Sequence, residues 1–306
     1  MPSMAGAEQP ARMVDRVQAW ALALGVGLVR RLGPVAASNL GGAIARTIGP
    51  WLPVSRVALD NLAAAMPELD AAGRRRVMVG VWDNLGRTAA ELPHLGALHR
   101  TATGPGWECA DDSVLVELGA RPGAAVLFTG HLANWELALP VGIAFGFETS
   151  SFFRPASNLN VDRLIQNLRR DAVGANLRMF AKGRAGAVAA MKHLLAGRKL
   201  GMLVDQKLNE GVAVPFFGRL AMTTTALAAF ALRSQCLVVP FHVVRLGPAR
   251  FEVFCEPPMA LPATGDTAAD IYTLTAAVND KLEGWIRKQP ADWLWLHRRW
   301  PKGGVC

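Results

Sequence analysis

From about residue 105 onward, short apolar runs alternate with stretches in which apolar residues recur at helical spacing. Runs with the length of a buried strand cover residues 124–128, 148–153, 177–180, 200–204, 237–245 and 250–256. Helical spacing is found in residues 111–118, 160–173, 185–196, 223–233 and 267–288. Because the two kinds of element alternate, the pattern predicts an α/β fold: a mixed, mainly parallel sheet that is flanked by helices.

Turn residues predict the connections in this region. Gly247-Pro248 lies between two predicted strands and indicates a hairpin. Residues 207–222 contain Gly211, Pro215 and Gly218 and are predicted to form a loop. The three threonines at 223–225 are predicted to cap the helix that follows.

The first hundred residues have apolar helical stretches and no predicted strand. Residues 17–29 form an apolar run of about 13 residues, whereas a membrane-spanning helix needs about 20. A second run, residues 35–54, is interrupted by Arg46 and Pro50. We predict that both runs are helices lying in the cytoplasmic leaflet of a membrane, with nearby arginines at the lipid headgroups. A pair of helices that covers the sheet is the alternative.

The change of pattern divides the chain into two regions. Residues 1–104 are predicted to be a helical, membrane-associating region, completed by helices at 57–66 and 71–92. Residues 105–306 are predicted to be one continuous α/β domain.

Composition narrows the classes of function. A hydrophobic content of 51% with 19% charged residues excludes a disordered chain, and a net charge of +9 indicates anionic partners. No nucleic-acid partner is expected, because the sequence has no zinc finger, RNP-like strand or recognition helix. The four cysteines lie far apart, without a CxxC pair or a histidine at ligand spacing, so neither a metal site nor another cofactor is expected.

The candidate chemistry begins where the strand at 124–128 ends. His131 follows that strand, and Glu136 lies five residues later, at the start of a helical pattern. On one helix the two side chains would point roughly 140° apart, but a bend between loop and helix brings them together. A histidine can take the proton of an attacking hydroxyl, and a carboxylate on its second nitrogen orients the ring. The spacing alone is weak evidence, since a chance match is common among six histidines and 24 acidic residues.

Polar residues also follow the other predicted strands. Arg154 follows the strand at 148–153, and Asp205 follows the strand at 200–204. The carboxyl ends of parallel strands meet at one edge of a sheet, so we expect these residues to lie near His131. A surface salt bridge for the arginine and a turn cap for the aspartate remain the alternatives.

The last segment combines aromatic and basic residues. Trp293, Trp295 and Trp300 alternate with basic side chains at 297–299. Tryptophans beside cations are typical of a lipid headgroup boundary or of a docking surface for an acidic carrier protein. They are equally typical of a packed core in which the arginines are buried ion-pair partners, and both interpretations stay open.

Taken in order, these motifs resemble the bacterial lipid A biosynthesis acyltransferases, whose superfamily includes the phosphatidylinositol mannoside acyltransferases. The matching motifs are His131-Leu-Ala-Asn-Trp-Glu136, Phe153-Arg154-Pro155 with Asn158 and Asp162, Arg169, Asp205-Gln206, Pro215-Phe216-Phe217-Gly218, Thr223-Thr224-Thr225 and Trp293-Leu-Trp-Leu-His297-Arg298-Arg299-Trp300. They extend over residues 18–302, nearly the whole chain. Their combination is far more specific than one histidine and one glutamate at a fixed spacing.

The resemblance implies the fold of the glycerol-3-phosphate acyltransferases and a place on the cytoplasmic face of the inner membrane. The implied reaction moves a fatty acyl group from acyl carrier protein, or coenzyme A, to a hydroxyl of a lipid A precursor or related glycolipid. His131 is implied as the general base and Glu136 as its orienting carboxylate. Contacts with substrate or oxyanion are implied for Asn134, Arg154, Asp162, Arg169 and Asp205.

Several points stay open at this stage. The acceptor could instead be a phospholipid, an aminolipid or a phosphatidylinositol mannoside, because acceptor choice depends on pocket shape. A non-catalytic lipid-binding membrane protein would explain the tryptophans and arginines equally well. A lipid hydrolase is disfavoured, because the sequence has no G-x-S-x-G motif. Basic residues outnumber acidic ones between residues 153 and 200, which predicts that the acidic acyl carrier protein approaches there.

Overall fold

The computed structural model describes residues 13–148, 150–153, 158–174 and 177–301. Its helices are α1 (Met13–Arg31), α2 (Pro34–Ile48), α3 (Ser55–Ala65), α4 (Ala71–Glu91), α5 (Ser113–Ala120), α6 (Ala138–Ala144), α7 (Leu159–Val173), α8 (Arg184–Leu195), α9 (Ala226–Ser234) and α10 (Thr267–Lys288). Its strands are β1 (Gly106–Glu108), β2 (Ala125–Thr129), β3 (Ser150–Phe153), β4 (Arg178–Ala181), β5 (Lys199–Leu203), β6 (Lys207–Phe216), β7 (Arg219–Thr223), β8 (Leu237–Gly247) and β9 (Arg250–Cys255). Short 3₁₀ helices cover Gly49–Trp51, Leu92–Ala97, Trp135–Leu137 and Pro290–Asp292.

Seven strands form the main sheet in the order β1-β9-β8-β2-β5-β3-β4. The five strands from β8 to β4 run parallel to each other. The predicted hairpin makes β9 antiparallel to β8, and β1 pairs parallel with β9. The predicted α/β fold, with a mixed and mainly parallel sheet flanked by helices, is confirmed. Its central strand, β2, is paired on both sides and therefore has a buried, strongly held carboxyl end.

The predictions for residues 207–225 are wrong in two respects. Residues 207–222 are not a loop, because β6 and β7 form an antiparallel hairpin. Its turn uses Phe217 and Gly218 at φ 53° and 67°, the left-handed backbone that a tight hairpin turn requires. Thr223 ends β7 instead of capping α9, while Thr224 accepts a hydrogen bond from the first backbone N–H of that helix at 3.3 Å.

The N-terminal helices pack onto the sheet through α3 and α4. Leu62 and Met78 from these two helices lie in the same hydrophobic core as Phe128 of β2. Helix α2 crosses α4 at a pair of glycines: a Cβ atom added to Gly86 would lie 2.2 Å from the carbonyl oxygen of Gly41. The contact between the two helices is therefore backbone against backbone.

Helix α1 and the segment from α2 to residue 52 leave many apolar side chains on the surface. Trp20 is 73% exposed and Trp51 is 82% exposed. Their exposed apolar neighbours are Met13, Val17, Leu22, Leu24, Leu28, Val35, Leu40, Ile44, Ile48 and Leu52. No helix in the described part of the chain is long and apolar enough to cross a bilayer. Membrane association of this region, and the boundary at residue 104, stay predictions.

Candidate active site

His131 and Asp205 lie together at the carboxyl edge of the parallel strands. His131 comes two residues after β2, and Asp205 comes two residues after the adjacent strand β5. Asp205 Oδ1 is 2.8 Å from His131 Nδ1, and Asp205 Oδ2 accepts the backbone N–H of His131 at 2.9 Å. One carboxylate therefore fixes both the ring and the backbone of the histidine.

The charges of this pair stabilise each other. Burial lowers the pKa of His131, but the Asp205 carboxylate and, less strongly, Glu136 outweigh it and hold that pKa above its usual value. Burial raises the pKa of Asp205, yet His131 on one side and His297 behind hold it well below the usual range for a carboxyl. With Nδ1 donating to Asp205, Nε2 of His131 is the nitrogen that can accept a proton.

Glu136 does not orient His131, which corrects the sequence-based assignment. The carboxylate of Glu136 instead forms a two-point ion pair with Arg169 of α7, with distances of 2.8 Å to Nε and 2.6 Å to Nη2. Glu136 lies in the 3₁₀ turn Trp135–Leu137, which directs its side chain towards α7. The residue that packs on the imidazole is Trp135, edge to face, with ring centroids 5.0 Å apart.

An apolar pocket begins beside this ion pair. It encloses about 780 Å³ of empty space, part of it open to solvent, between the sheet and α6. Its walls come mainly from β2, β3, β5 and α6, and Trp135, Glu136 and Arg169 also line it. A pocket of this kind accommodates an apolar chain and places one charged pair at its wall.

The loop that carries His131 is held by main-chain contacts to residues 292–294. Ala133 has φ 46°, a conformation that side chains other than glycine seldom adopt. Its N–H donates to the carbonyl of Asp292 at 2.9 Å, and the N–H of Leu294 donates to the carbonyl of His131 at 3.1 Å. The strain at Ala133 is therefore offset by hydrogen bonds on both sides of the loop.

A buried ion pair supports the same loop from the side of α4. The carboxylate of Glu91, which is fully buried, binds the guanidinium of Arg245 through both oxygens. It also accepts hydrogen bonds from Ser38 and from the amide of Asn134, at 2.6 Å and 2.9 Å. Thr88 completes the support by donating to the carbonyl of Ala133 at 2.9 Å.

The structure places the remaining predicted residues differently from one another. Asn134 is fully buried and its amide faces Glu91, so it supports the loop from behind. Asp162 lies in the first turn of α7, and its charge contributes to raising the pKa of Arg169. Arg154 lies outside the described residues.

The tryptophans near the carboxyl end pack in the core, as the second of the two interpretations predicts, but neither Arg298 nor Arg299 forms the buried ion pair that it also predicts within the described part of the chain. Trp293, Trp295 and Arg299 are fully buried, and Trp300 is almost so, while Arg298 is exposed. The guanidinium of Arg299 donates to Met222 and Thr223 instead of a carboxylate.

Sequence reasoning missed three residues of the site. Glu91 and Arg245 gave no signal, because each is one charged residue within a longer regular element. Trp293 belongs to a motif that was recognised, but its contact with Asp205 was not predicted. The indole N–H donates to Asp205 Oδ2 at 2.7 Å.

The fold and the site define an α/β protein with a partly exposed histidine paired to a buried aspartate at the carboxyl edge of its sheet, next to an apolar pocket. Residues 4–302 match the family model of the bacterial lipid A biosynthesis acyltransferases. The chain belongs to that family.

Two relatives with a described activity are identical to this chain at about a quarter of the aligned positions. The chain is 26% identical over 181 residues to a phosphatidylinositol mannoside acyltransferase of Mycobacterium tuberculosis, a match that covers 58% of this chain and 54% of that protein. It is 23% identical over 180 residues to the phosphatidylinositol mannoside acyltransferase of Mycolicibacterium smegmatis, covering 58% of this chain and 56% of that protein. The chain thus spans about half the length of the curated relatives it matches.

Proposed function

We propose that this chain transfers a fatty acyl group from a thioester to a hydroxyl of a glycolipid. The observation that carries the proposal is the partly exposed His131, paired to the buried Asp205, beside an apolar pocket of about 780 Å³. The pair supplies a base for the hydroxyl, and the pocket supplies apolar surface for an acyl chain. Membership of the acyltransferase family supports the same reaction.

In this reaction Nε2 of His131 takes the proton of the acceptor hydroxyl as its oxygen attacks the thioester carbonyl carbon. The carbonyl π electrons move to oxygen and form a tetrahedral oxyanion. When that oxyanion collapses, the carbon–sulfur bond breaks, and the thiolate leaves with the proton that the imidazolium returns. Asp205 remains ionised and stabilises the imidazolium between these two steps.

Arg169 is the group we assign to the oxyanion or to a phosphate of the substrate. Glu136 uses two of the N–H groups of its guanidinium and holds the plane of that group at the pocket wall. The other N–H groups are available to share negative charge that develops on the carbonyl oxygen.

The donor in the proposal is the thioester of acyl carrier protein or coenzyme A. An acidic carrier is favoured by the exposed basic surface of α7, β4, α8 and the loop after it. Its residues are Arg163, Arg170, Arg178, Lys182, Arg184, Lys192 and Arg198.

The acceptor is a glycolipid at the cytoplasmic face of the inner membrane. The family supports a lipid A precursor as the acceptor, and the activity of the mycobacterial relatives supports a phosphatidylinositol mannoside. The exposed apolar side chains of α1 and α2 support attachment to that membrane.

The test uses purified protein with an acyl thioester and each of the two glycolipids. Wild type should release thiol and add one acyl group to the acceptor. His131→Ala should lower the rate by roughly 10²–10⁴-fold, because the base is lost. The exposed His99→Ala is the matched control and should keep the wild-type rate. Equal rates for wild type and His131→Ala would rule out this mechanism. Mass spectrometry of membrane lipids from cells lacking the chain identifies the acceptor.

A further inference from the structure

The segment from Asp292 to Trp300, here called the strap, passes directly behind the His131–Asp205 pair. Its backbone holds the loop of His131 through the carbonyl of Asp292 and the N–H of Leu294. Leu132 also forms an isolated antiparallel bridge with Trp293. The strap therefore contacts the backbone of His131 and of the two residues that follow it.

The side chain of Trp293 reaches the pair itself. Its indole Nε1–H donates to Asp205 Oδ2 at 2.7 Å, and the same oxygen accepts the backbone N–H of His131 at 2.9 Å. Asp205 Oδ1 is bound to the imidazole. Three donors thus define the plane of this buried carboxylate, and one of them comes from the strap.

The indole of Trp293 is held in place by other rings. Its centroid lies 4.6 Å from Trp295, 5.4 Å from His297 and 5.8 Å from Phe216, each at a steep angle. Phe216 belongs to the β6–β7 hairpin, so the hairpin packs against the face of the strap. A rigid ring with one N–H at its edge is suited to fixing a carboxylate at one distance and angle.

The other charged or titratable groups that act on the pair are Glu136, His297 and Arg299. Glu136 acts on His131 from the side of the pocket. On the strap side, burial lowers the pKa of His297. Arg299 keeps its charge near pH 7, although burial lowers its pKa to about 10, and it donates to Met222 and Thr223. Within the described residues, the indole of Trp293 is thus the only group on the strap that hydrogen-bonds Asp205.

We propose that Trp293 is a positioning residue for the His131–Asp205 pair: its indole N–H holds the Asp205 carboxylate in the one orientation that aligns the imidazole with an attacking hydroxyl. The role of the pair as base rests on the proposed function, but the positioning of its imidazole is a property of the folded protein. Phe216 of the β6–β7 hairpin then contributes to the site, because its ring packs against this indole.

The first test compares Trp293→Phe with Trp295→Phe. Both tryptophans are fully buried, but the N–H of Trp295 donates to the carbonyl of Pro290 and not to the pair. We expect Trp293→Phe to lower kcat roughly 10–100-fold, with KM for the thioester unchanged within about twofold, because the base is misaligned while the pocket is intact. Trp295→Phe keeps an aromatic ring beside the indole of Trp293 and leaves the hydrogen bond from that indole to Asp205 in place, so it should keep kcat within about threefold of wild type. Equal losses in the two variants would mean a general packing effect and would overturn the proposal.

The second test is an NMR titration of the His131 ring, which needs no substrate. Removing one N–H from Oδ2 leaves more negative charge facing the imidazolium, so the pKa of His131 should rise further in Trp293→Phe and stay unchanged in Trp295→Phe. Identical titrations in wild type and Trp293→Phe would overturn the proposal, even if the enzyme transfers acyl groups. A wild type without turnover would instead refute the proposed function and leave this readout intact.

A measurement on wild type covers the case in which Trp293→Phe does not fold. The indole N–H resonance of Trp293 should shift as His131 titrates, since both share the Asp205 carboxylate. The resonance of Trp295 should not move over that pH range. A Trp293 resonance that stays constant through the titration would refute the coupling.

Discussion

Asp205 determines the geometry of the site at the scale of single residues. It touches the ring of His131, the backbone of His131 and the indole of Trp293. The ion pair of Glu136 with Arg169 is a separate unit, although its charge still reaches His131. The two carboxylates therefore have separate partners: Asp205 positions the imidazole of His131, and Glu136 positions the guanidinium of Arg169.

Asp205→Asn should separate these contributions. The general base must be neutral, so kcat/KM of wild type should rise with pH through a midpoint above 6.5, the usual pKa of histidine. In Asp205→Asn the burial that lowers the pKa of His131 remains while the opposing charge is lost, so the midpoint should move to lower pH. The maximal rate should fall roughly 10²–10⁴-fold, because the imidazolium is no longer stabilised. Exposed Asp111→Asn is the control, and a midpoint unchanged by Asp205→Asn would contradict the assignment.

Asp292 gives a prediction about stability. Burial raises its pKa to about 6, above the 3.8 of an unfolded aspartate. Its contribution to stability is therefore fully present below pH 3.8 and is lost as the pH rises through about 6. Asp292→Asn should raise the free energy of unfolding by about 1–3 kcal/mol at pH 8 and change it little at pH 4. Urea unfolding at the two pH values measures this, with exposed Asp60→Asn as the control. Equal effects at both pH values would show that the ionisation of Asp292 is not the cause.

At the scale of elements, the site depends on helices that lie outside the α/β repeat. Helix α4 supplies Glu91 and Thr88 to the loop of His131, and α4 is in turn positioned by its glycine crossing with α2. The buried pair of Glu91 and Arg245 links this helix to β8. A displacement of α4 would therefore move this loop and, with it, the imidazole of His131.

The close contact of α2 with α4 at Gly41 and Gly86 can be tested by substitution. In Gly86→Ala, the new methyl group would lie 2.2 Å from the carbonyl oxygen of Gly41, so the helices must separate. We expect a loss of roughly 2–4 kcal/mol in the free energy of unfolding, together with lower activity. Gly284→Ala in α10 meets nothing within 4 Å and should stabilise the protein by about 0.5–1 kcal/mol. Thermal or urea unfolding measures both changes in the free energy of unfolding. An unchanged free energy of unfolding in Gly86→Ala would contradict the close crossing.

For the whole molecule, the sequence predicted the sheet, its covering helices and the convergence of His131 and Asp205. These follow from the length of the apolar runs and from parallel topology. The partner of His131 was not predictable, because it depends on the direction in which the 3₁₀ turn points Glu136. The support from Glu91 and Trp293 was not predictable either, since it depends on contacts between segments that are distant in the chain.

Membrane attachment is also a property of the whole molecule. Trp20 of α1 and Trp51 of the 3₁₀ helix that follows α2 are both largely exposed. Replacing both by glutamine should weaken binding to vesicles of phosphatidylglycerol and phosphatidylcholine at least roughly tenfold, because two large apolar side chains no longer enter the interface. Tyr272→Gln, on the distant helix α10 and 43% exposed, is the matched control. Sedimentation with vesicles measures the effect, and equal binding of all three proteins would refute attachment through these helices.

The position of the strap in the sequence determines when the contacts around His131 and Asp205 are completed during synthesis. The last of the seven strands of the main sheet ends at residue 255, so all of them are synthesised before Trp293. Until the strap emerges and docks, Asp205 lacks one of its three donors and the loop of His131 lacks its two main-chain partners from the strap. We therefore expect nascent chains to form strand pairs before the strap docks, and to align the imidazole of His131 only when it does.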